Sequence, residues 1–345
     1  MILSEDPLRG AMTPVKITSQ RNLNIDQLCE TSKLFTYRQL SHGPGIGDFL
    51  SLCFPGGQTS LRWLNFSVGL QARNLEPIDS QVILVLQVTQ GEDYRFNGVA
   101  MKEGLPFLLR AHHEDGCSMV MPDGMSCRSF AFNKKFFHDS CRILFHREPP
   151  INLSSLAYKV SPTAHQELLS LSNVLYNRAH CQSAHDIFSQ ASSCCVLEKE
   201  IISQVLTAIY TQEDYFRLSS NQHYRLVHEV VDYMMANLTK HLHLVDFCRF
   251  SRMPQTTLNL AFQQVLTISP VAYFKKLRLH EAFCRLRRQE DTVTTIACDL
   301  GFYHLGQFSQ DFKKQFGNLP SEVLSSGAAP SLNSITNLCL KRKNL

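Results

Sequence analysis

The chain has little charge and no long apolar run. Charged residues make up 19% of its 345 residues and hydrophobic residues 44%, whereas soluble domains usually carry about 25% charge. Such a composition excludes extended disorder and favours packed cores. The longest apolar stretch runs only from Val82 to Leu86, and a membrane-spanning helix needs roughly 20 residues. We therefore expect no membrane partner.

Paired cysteine motifs are also missing. No C-x-x-C pair occurs among the 12 cysteines, and their share is well below the roughly 8 to 10% of a disulfide scaffold. Cys194 and Cys195 are adjacent, which suits neither a relaxed disulfide nor a zinc knuckle. Glu5 and Asp6 stand where a signal peptide would have its apolar core. The sequence predicts free thiols in a cytoplasmic protein.

Signatures of catalysis are absent in recognisable spacing. The sequence has no nucleophile elbow, no phosphate-binding loop and no paired carboxylates. His112-His113-Glu114 suggests a metal site, but neighbouring side chains on a strand point to opposite faces and do not converge on one ion. We therefore predict no enzyme, no metal site and no cofactor, and an enzyme with a catalytic β-domain is the least favoured function.

Apolar residues in the first part of the chain alternate as in β-strands. Between about Lys33 and Leu144 the apolar period is two, as in the run from Leu64 to Leu70. Met121-Pro122-Asp123-Gly124 combines fixed and positive φ angles, which predicts a hairpin at this point. Short strands at this spacing favour a small β-barrel or sandwich, of a cupin-like kind, over residues 1–150.

Helical periodicity replaces this alternation after Pro149-Pro150. Residues 151–220 predict two or more helices, and the polar step near Ser219-Ser220-Asn221 predicts a boundary. Residues 221–326 then read as an all-α domain, and residues 327–345, which lack periodicity, as a fraying tail. At roughly 100 to 200 residues per domain, two domains fit this length. The predicted fold class is α+β.

A helix, a turn and a second helix form the sharpest pattern near the end of the chain. Thr294 is a candidate cap for a helix that buries Ile296, Ala297 and Leu300, and Gly301 supplies a left-handed stop. The next helix starts near His304 and ends at Gly317. It places an aromatic residue at every fourth position, namely Phe308, Phe312 and Phe316.

Burial of that aromatic face leaves amides and ammonium groups on the rest of the second helix. The exposed positions are Gly306, Gln307, Gln310, Lys313 and Lys314. A helix that is apolar on one side and carries amide and ammonium groups on the other fits the major groove of DNA. The alternative interpretation of these five residues is an ordinary solvent-exposed helix face with no binding role.

A similar arrangement occurs about 50 residues earlier. A short helix with Leu244, Phe247 and Cys248 inward precedes a turn, and Pro254 stands where a first helical residue is often proline. The following helix buries Leu258 and Phe262. Its free face carries Gln255, Thr256, Asn259 and Gln263.

One long helix is predicted between the two units, from Pro270 to Gln289. We expect its inward positions at Leu279, Ala282, Phe283 and Leu286. We expect its basic residues to lie mostly outward, namely Lys275, Lys276, Arg285, Arg287 and Arg288, while Arg278 pairs internally, for instance with Glu281. A rigid spacer of this length is able to hold two recognition helices about one DNA turn, roughly 34 Å, apart.

These residues resemble the AraC/XylS family of transcription regulators, over about Tyr224 to Ser325. The most specific pieces are Ile268-Ser269-Pro270 followed by Tyr273 and Arg278, then Ile296-Ala297, Gly301-Phe302, Phe308, Phe312, Phe316-Gly317 and Pro320. The segments His304 to Phe308 and Leu319 to Glu322 look closest to the branch that contains the ethanolamine-operon regulators.

The resemblance implies a fold and a function. It implies a homeodomain-like domain of seven helices with two helix-turn-helix units, in a bacterial transcription regulator, usually an activator, that binds double-stranded DNA and contacts RNA polymerase. It also implies that residues 1–150 sense a small-molecule effector and that the helices between Leu168 and Ile209 form a homodimer. The DNA-binding positions it implies are Gln255, Thr256, Asn259, Gln263, Gly306, Gln307, Gln310, Lys313 and Lys314.

The sequence departs from the family pattern in its basic residues. Pro254 stands where members usually have a serine cap, and frequent arginines are replaced by Thr256, Leu260 and Gln310. Residues 221–326 contain 12 basic and 9 acidic residues, a net charge of +3, so few phosphate contacts are available. These departures leave open a second function, a diverged protein that acts through protein-protein contacts, and they make the first recognition helix the weaker reader.

Overall fold

A computed structural model describes residues 15–32, 35–74, 81–87, 94–101, 107–110, 117–146, 161–180, 188, 190–210 and 222–326. The strands are β1 (Lys16–Leu23), β2 (Thr36–Gln39), β3 (Gly47–Cys53), β4 (Thr59–Phe66), β5 (Leu70–Asn74), β6 (Gln81–Gln87), β7 (Tyr94–Phe96), β8 (Val99–Met101), β9 (Phe107–Arg110), β10 (Cys117–Met121) and β11 (Met125–Asn133). The helices of the first part are α1 (Ile25–Ser32), α2 (Lys134–Phe145), α3 (Pro162–His180) and α4 (Ala191–Tyr210). His112-His113-Glu114 lies outside the described residues.

The strands form two open antiparallel sheets. The first has six strands in the order β1-β3-β4-β11-β6-β9, and the second has five in the order β2-β5-β10-β7-β8. Each strand pairs antiparallel with its neighbours. The β-rich first domain is confirmed, and closure into a cupin-like barrel stays a prediction.

Strand alternation divides the first domain into layers. On β4, Leu61 and Trp63 pack into a core with α2, α3 and α4, whereas Leu64 and Phe66 pack into the core between the two sheets. On β10, Val120 leaves that inner core and packs against the C-terminal helices. Period-two patterning therefore gives each sheet two buried faces, and the second sheet lies between the first sheet and the last domain.

The turn at Met121-Pro122-Asp123-Gly124 does not form the expected hairpin. β10 belongs to the second sheet and β11 to the first, so the turn carries the chain from one sheet to the other. Gly124 has the expected positive φ of 67°. The apolar run from Leu64 to Leu70 likewise crosses between sheets at residues 67–69, and the Gly69 amide donates to Asp123 Oδ1 over 2.5 Å.

The helices of residues 161–210 pack on the first sheet and share its core. Leu168 and Ile209 are buried there, and the indole nitrogen of Trp63 donates to Ser172 Oγ on α3 over 2.9 Å. The helical character predicted for this region is thus present. These helices extend the sheet domain, and their proposed role in dimerisation stays a prediction.

Seven helices follow between Tyr224 and Ser326, as the resemblance implies. They are α5 (Tyr224–Met235), α6 (Leu244–Ser251), α7 (Gln255–Leu266), α8 (Pro270–Arg287), α9 (Val293–Asp299), α10 (Leu305–Phe316) and α11 (Pro320–Ser326). No helix among the described residues is long and apolar enough to cross a membrane.

Two separate cores lie along the connecting helix α8. Its first half contributes Tyr273, Phe274 and Leu277 to a core with α5, α6 and α7. Its second half contributes Leu279, Ala282 and Leu286 to a core with α9, α10 and α11. A straight helix of 18 residues is about 27 Å long, so α8 is a stiff element that both helical cores share.

The basic residues of α8 are less exposed than expected. Arg285 and Arg287 retain only 18% and 19% side-chain exposure, because Arg285 pairs with Glu290 and Asp299 and Arg287 pairs with Asp26 of α1. Lys276 is half-buried beneath the first domain. The outward prediction holds for Lys275 and Arg288 and is wrong for the other three, because the first domain and α9 cover this side of α8.

Candidate DNA-binding surface

The ends of α9 and α10 and the buried face of α10 follow most of the sequence predictions. Thr292, and not Thr294, caps the preceding α9 by accepting from the Thr295 amide. Gly301 ends α9 at a φ of +77°, and Gly317 ends α10 at +83°. Phe308, Phe312 and Phe316 are buried and pack against one another along α10. Burial of this aromatic face fixes which side of α10 meets solvent.

The five positions predicted on α10 are exposed. Gly306, Gln307, Gln310, Lys313 and Lys314 all lie on the solvent side of the helix. Asp311 is turned inward, and its carboxylate binds Lys275 of α8 over 2.6 Å. Lys313 and Lys314 make no ion pair within the part of the chain that the structure describes. Two glutamines and two unneutralised lysines are therefore available to an external partner.

Helix α7 presents a smaller polar face. Gln255, Thr256 and Gln263 are exposed and Asn259 is half-buried, opposite the buried Leu258 and Phe262. Pro254 is the N-cap and lies just before the first helical residue, so the cap makes no side-chain hydrogen bond. Leu260 is 54% exposed on the same helix. The α7 surface thus has amides and one apolar side chain but no basic residue.

Arg278 is a positioning residue that its sequence neighbours did not reveal. Its guanidinium donates to the Leu238 and Lys240 carbonyl oxygens and lies over the Phe274 ring at 4.2 Å. It does not bind Glu281, the partner suggested by the i,i+3 spacing. A Cβ at Gly301 would come within 3.2 Å of the guanidinium. Arg278 therefore holds the loop after α5 against the turn between α9 and α10.

The first domain binds the C-terminal end of α10 through Gln315. This side chain is only 1% exposed. Its Nε2 donates to the Ser41 carbonyl oxygen over 2.9 Å, and the backbone carbonyl oxygen of Gln315 accepts from Gln39 Nε2 over 2.7 Å. The Gly43 amide donates to the Lys314 carbonyl oxygen over 3.0 Å. These bonds use the last turn of α10 and leave its glutamine face free.

The same contact shifts the titration of two nearby groups. Lys276 Nζ donates to Gln315 Oε1 over 2.5 Å, and burial together with Lys314 and Lys275 lowers the pKa of Lys276 to about 8. Burial, Lys276 and Lys314 also lower the pKa of His42, whose Nδ1 lies 3.1 Å from Gln315 Oε1. Basic groups are therefore crowded at the point where the first domain meets α10, and burial together with their neighbours disfavours the charged forms of Lys276 and His42.

A second contact joins the first domain to the core that α5, α6 and α7 form with the first half of α8. Arg73 of β5 forms an ion pair with Asp232 of α5 at 2.6 Å and is 7% exposed. Burial alone would lower the pKa of Arg73, but the Asp232 hydrogen bond and charge raise it above its usual range. Tyr273 donates its hydroxyl to Gln71 Oε1 over 2.5 Å. Both helical cores are thus fixed to the second sheet.

We expect Gln315→Ala to destabilise the full chain by about 2 to 4 kcal/mol, because it removes the hydrogen bonds that the buried Gln315 side chain makes with the Gln39 and Ser41 carbonyl oxygens, with His42 Nδ1 and with Lys276 Nζ. Gln310→Ala, at an exposed position on the same helix, is the matched control and should change stability by less than about 0.5 kcal/mol. Urea unfolding followed by circular dichroism measures both. Equal effects of the two variants would contradict the buried contact.

The family model and the curated relatives match the last part of the chain. A family model described as a helix-turn-helix domain matches residues 247–326. The HTH-type transcriptional activator RhaS of Pectobacterium carotovorum subsp. carotovorum (strain PC1) is 39% identical over 75 residues, which cover 22% of this chain and 26% of RhaS. The XylDLEGF operon transcriptional activator 1 of Pseudomonas putida is 29% identical over 98 residues, 28% of this chain and 30% of that activator.

Solved structures match either about 30% of this chain or most of it. A probable AraC family transcriptional regulator from Rhodopseudomonas palustris CGA009 is 30% identical with a TM-score of 0.29, over 30% of this chain and 98% of that chain. The AraC-like transcriptional activator CuxR is 11% identical with a TM-score of 0.43, over 78% of this chain and 96% of that chain. The matched region spans about a quarter to a third of the curated relatives' own length.

Proposed function

We propose that this chain, whose residues 247–326 are a helix-turn-helix domain of the AraC type, is a sequence-specific transcription regulator that binds double-stranded DNA. Its matched relatives carry the names of transcriptional activators, and none of those names describes an enzyme. The observation that carries the proposal is the division of α10 into a buried aromatic face and an exposed face with Gln307 and Gln310.

The exposed groups of α10 suit two kinds of contact. A glutamine amide is able to donate to N7 and accept from N6 of adenine in the major groove, which discriminates bases. Lysine ammonium groups bind phosphate oxygens and set the position on the duplex. In this proposal Gln307 and Gln310 read bases, and Lys313 and Lys314 bind the backbone.

The other basic residues of the domain are largely engaged within the protein. Arg225, Arg249, Lys275, Arg285, Arg287 and Arg288 each make an ion pair, and Arg278 binds carbonyl oxygens. Few of the basic side chains behind the net charge of +3 are therefore free to bind DNA phosphates. Lys313 and Lys314 are two of the four exposed basic residues of this domain that make no ion pair among the described residues, with Lys240 and Arg252. We infer that α10 supplies a large share of the DNA affinity and that α7 contributes through Gln255, Thr256, Asn259 and Gln263.

The two recognition helices are proposed to enter successive major grooves. Helix α8 packs into both cores and is about 27 Å long, which is comparable with the roughly 34 Å repeat of the duplex. A connector that is shared by two cores does not bend freely, so the two helices keep a fixed phase. One fixed phase selects sites with one spacing between half-sites.

Lys313→Ala/Lys314→Ala is expected to lower the slope of log affinity against log salt by about 2, since each phosphate contact contributes about 0.9. Binding to all sequences should weaken together. The matched control is Lys135→Ala/Lys199→Ala, two exposed lysines of the first domain. Gel shifts on fragments from the region upstream of the protein's own gene, at several salt concentrations, measure the slope.

An unchanged slope would contradict phosphate binding by α10. Absence of binding to every fragment at low salt and high protein would instead favour the second function, contacts with other proteins. The exposed Leu260 on α7 is the feature that favours this alternative, because apolar contact suits a protein surface. Loss of a bound protein partner in Leu260→Ser, with no DNA binding by the wild type, would establish it.

We also infer a sensory and a dimerising role for the first domain. A polar cavity of about 210 Å³ lies between β1, β3, β4 and α3 and is lined by Asp48, Asn65, Trp63 and His180, among others, which supports binding of a small effector. Val174 and Val196 are exposed by 50% and 69% on α3 and α4, which supports a homodimer through these helices. A contact with RNA polymerase completes the proposed activator.

A further inference from the structure

Three potential metal ligands from distant parts of the sequence meet where the first domain contacts α8. Asp26 lies on α1, and His280 and Cys284 lie one turn apart on α8. The Cys284 Sγ is 3.3 Å from Asp26 Oδ1 and 3.7 Å from His280 Nε2. His280 Nε2 is 3.7 Å from Asp26 Oδ1. All three donor atoms therefore lie within 4.8 Å of one another.

These separations match one face of a zinc coordination sphere. With bond lengths of about 2.3 Å to sulfur, 2.05 Å to nitrogen and 2.1 Å to oxygen, a tetrahedral ion separates its ligand atoms by about 3.4 to 3.6 Å. The observed values of 3.3, 3.7 and 3.7 Å differ from these by about 0.3 Å at most. The carboxylate oxygen, imidazole nitrogen and sulfur atoms therefore need to move only slightly to coordinate one ion.

The donor types also fit zinc. A thiolate, an imidazole and a carboxylate are each ordinary zinc ligands, and a site with three protein ligands keeps a fourth position for water. Hard cations such as Mg²⁺ and Ca²⁺ favour all-oxygen sites. The spacing of His280 and Cys284 at i,i+4 places both on one side of a helix, which is the arrangement two ligands from one helix require.

The surroundings hold the three groups in place. The Asp26 Oδ2 pairs with Arg287 over 3.4 Å, and Arg287 also donates to Asn24 Oδ1. The Nδ1 of His280 is buried and has no hydrogen-bond partner among the described residues, so the ring makes its polar contacts through Nε2.

We propose that Asp26, His280 and Cys284 form a binding site for Zn²⁺ that joins the first domain to the DNA-binding domain. Binding displaces the Cys284 thiol proton to solvent. The resulting thiolate and the Asp26 carboxylate then balance the two positive charges of the ion. One ligand comes from α1 and two from α8, the helix shared by both recognition units, so the ion connects the first domain to the element that sets their phase.

The test uses the full chain, stripped of metal with a chelator and titrated with Zn²⁺ in calorimetry and with Co²⁺ in absorption spectroscopy. We expect about one equivalent of metal to bind. The Co²⁺ form should show a thiolate-to-cobalt charge-transfer band and the visible bands of tetrahedral coordination. Zn²⁺ should also raise the thermal midpoint of the wild-type chain.

Cys284→Ser and His280→Gln should reduce binding to less than about 0.1 equivalent at the metal concentration that saturates the wild type, and should remove the thiolate band. Cys298→Ser, at an exposed cysteine on α9, is the matched control and should retain both. Absence of metal binding by the folded wild type would overturn the proposal, and the three groups would then be a hydrogen-bonded contact only. Binding that persists in Cys284→Ser would overturn it equally, because the ion would lie elsewhere.

Discussion

Replacement of Gln307 and Gln310 together by alanine is expected to abolish the preference for the protein's own site while leaving non-specific DNA binding in place. Each amide pair with adenine is worth about 1 to 3 kcal/mol of discrimination, so each substitution should reduce site preference about 5- to 150-fold. Both side chains are exposed, so their removal leaves the core intact. Competition gel shifts, with the selected site against random duplex, measure the ratio of affinities.

Gln222→Ala is the control for this pair. Gln222 is an exposed glutamine of the same domain that precedes α5 and lies on neither recognition helix. It should retain full site preference. If the double variant kept its preference as well, base reading by α10 would be wrong, and an affinity that fell equally for all sequences would assign the two glutamines to the phosphate backbone instead.

Phe312→Ala is expected to lower the free energy of unfolding of the C-terminal domain by about 3 to 5 kcal/mol, the range for a buried aromatic residue. Phe312 is fully buried between Phe308 and Phe316 and stacks near Phe283 of α8. Its removal leaves a cavity in the core that joins α10 to the connector. The loss approaches the whole stability of many small domains, so DNA binding should fall with it.

The matched control is Val245→Ala on α6, where the side chain is 59% exposed. This variant should change stability by less than about 0.5 kcal/mol. Denaturant unfolding followed by near-ultraviolet circular dichroism compares the two. A loss below about 1 kcal/mol in Phe312→Ala would show that the aromatic face of α10 is not the core on which the second unit depends.

The helices of the C-terminal domain could be predicted from the sequence because the features that define them involve residues only a few positions apart. The every-fourth spacing of Phe308, Phe312 and Phe316 and the positive φ of Gly301 and Gly317 depend on neighbours a few residues away. The cap of α9 was wrong by two residues, since Thr292 and Thr294 are both competent caps. The sequence alone does not distinguish between two threonines two residues apart, because packing of the folded chain decides which of them becomes the cap.

Pairing in the first domain was harder because strand partners are far apart in sequence. The turn before Gly124 has the composition of a hairpin, yet β10 pairs with β5 and β7 while β11 pairs with β4 and β6. The proline, aspartate and glycine of this turn predict only that the chain reverses its direction. Whether the chain then pairs with itself or enters another sheet depends on long-range packing of both faces.

Contacts between the two domains could not be predicted from the sequence, because neither partner shows a recognisable pattern among its sequence neighbours. Gln315 reads as another polar residue on a recognition helix, and only the packed structure shows it buried against Gln39 and Ser41. Asp26 and Cys284 are 258 residues apart, so no ligand spacing links them. The outward prediction for Arg287 was wrong for the same reason, because the partner that covers it lies on α1.

Hydroxyl-radical footprinting of the full chain on its selected site tests the central claim most directly, that two recognition helices held by α8 read successive major grooves. We expect two protected segments with centres about 10 base pairs apart, and loss of the segment under α10 in the Gln307→Ala/Gln310→Ala variant. A single protected segment, or protection unchanged by that variant, would contradict the account.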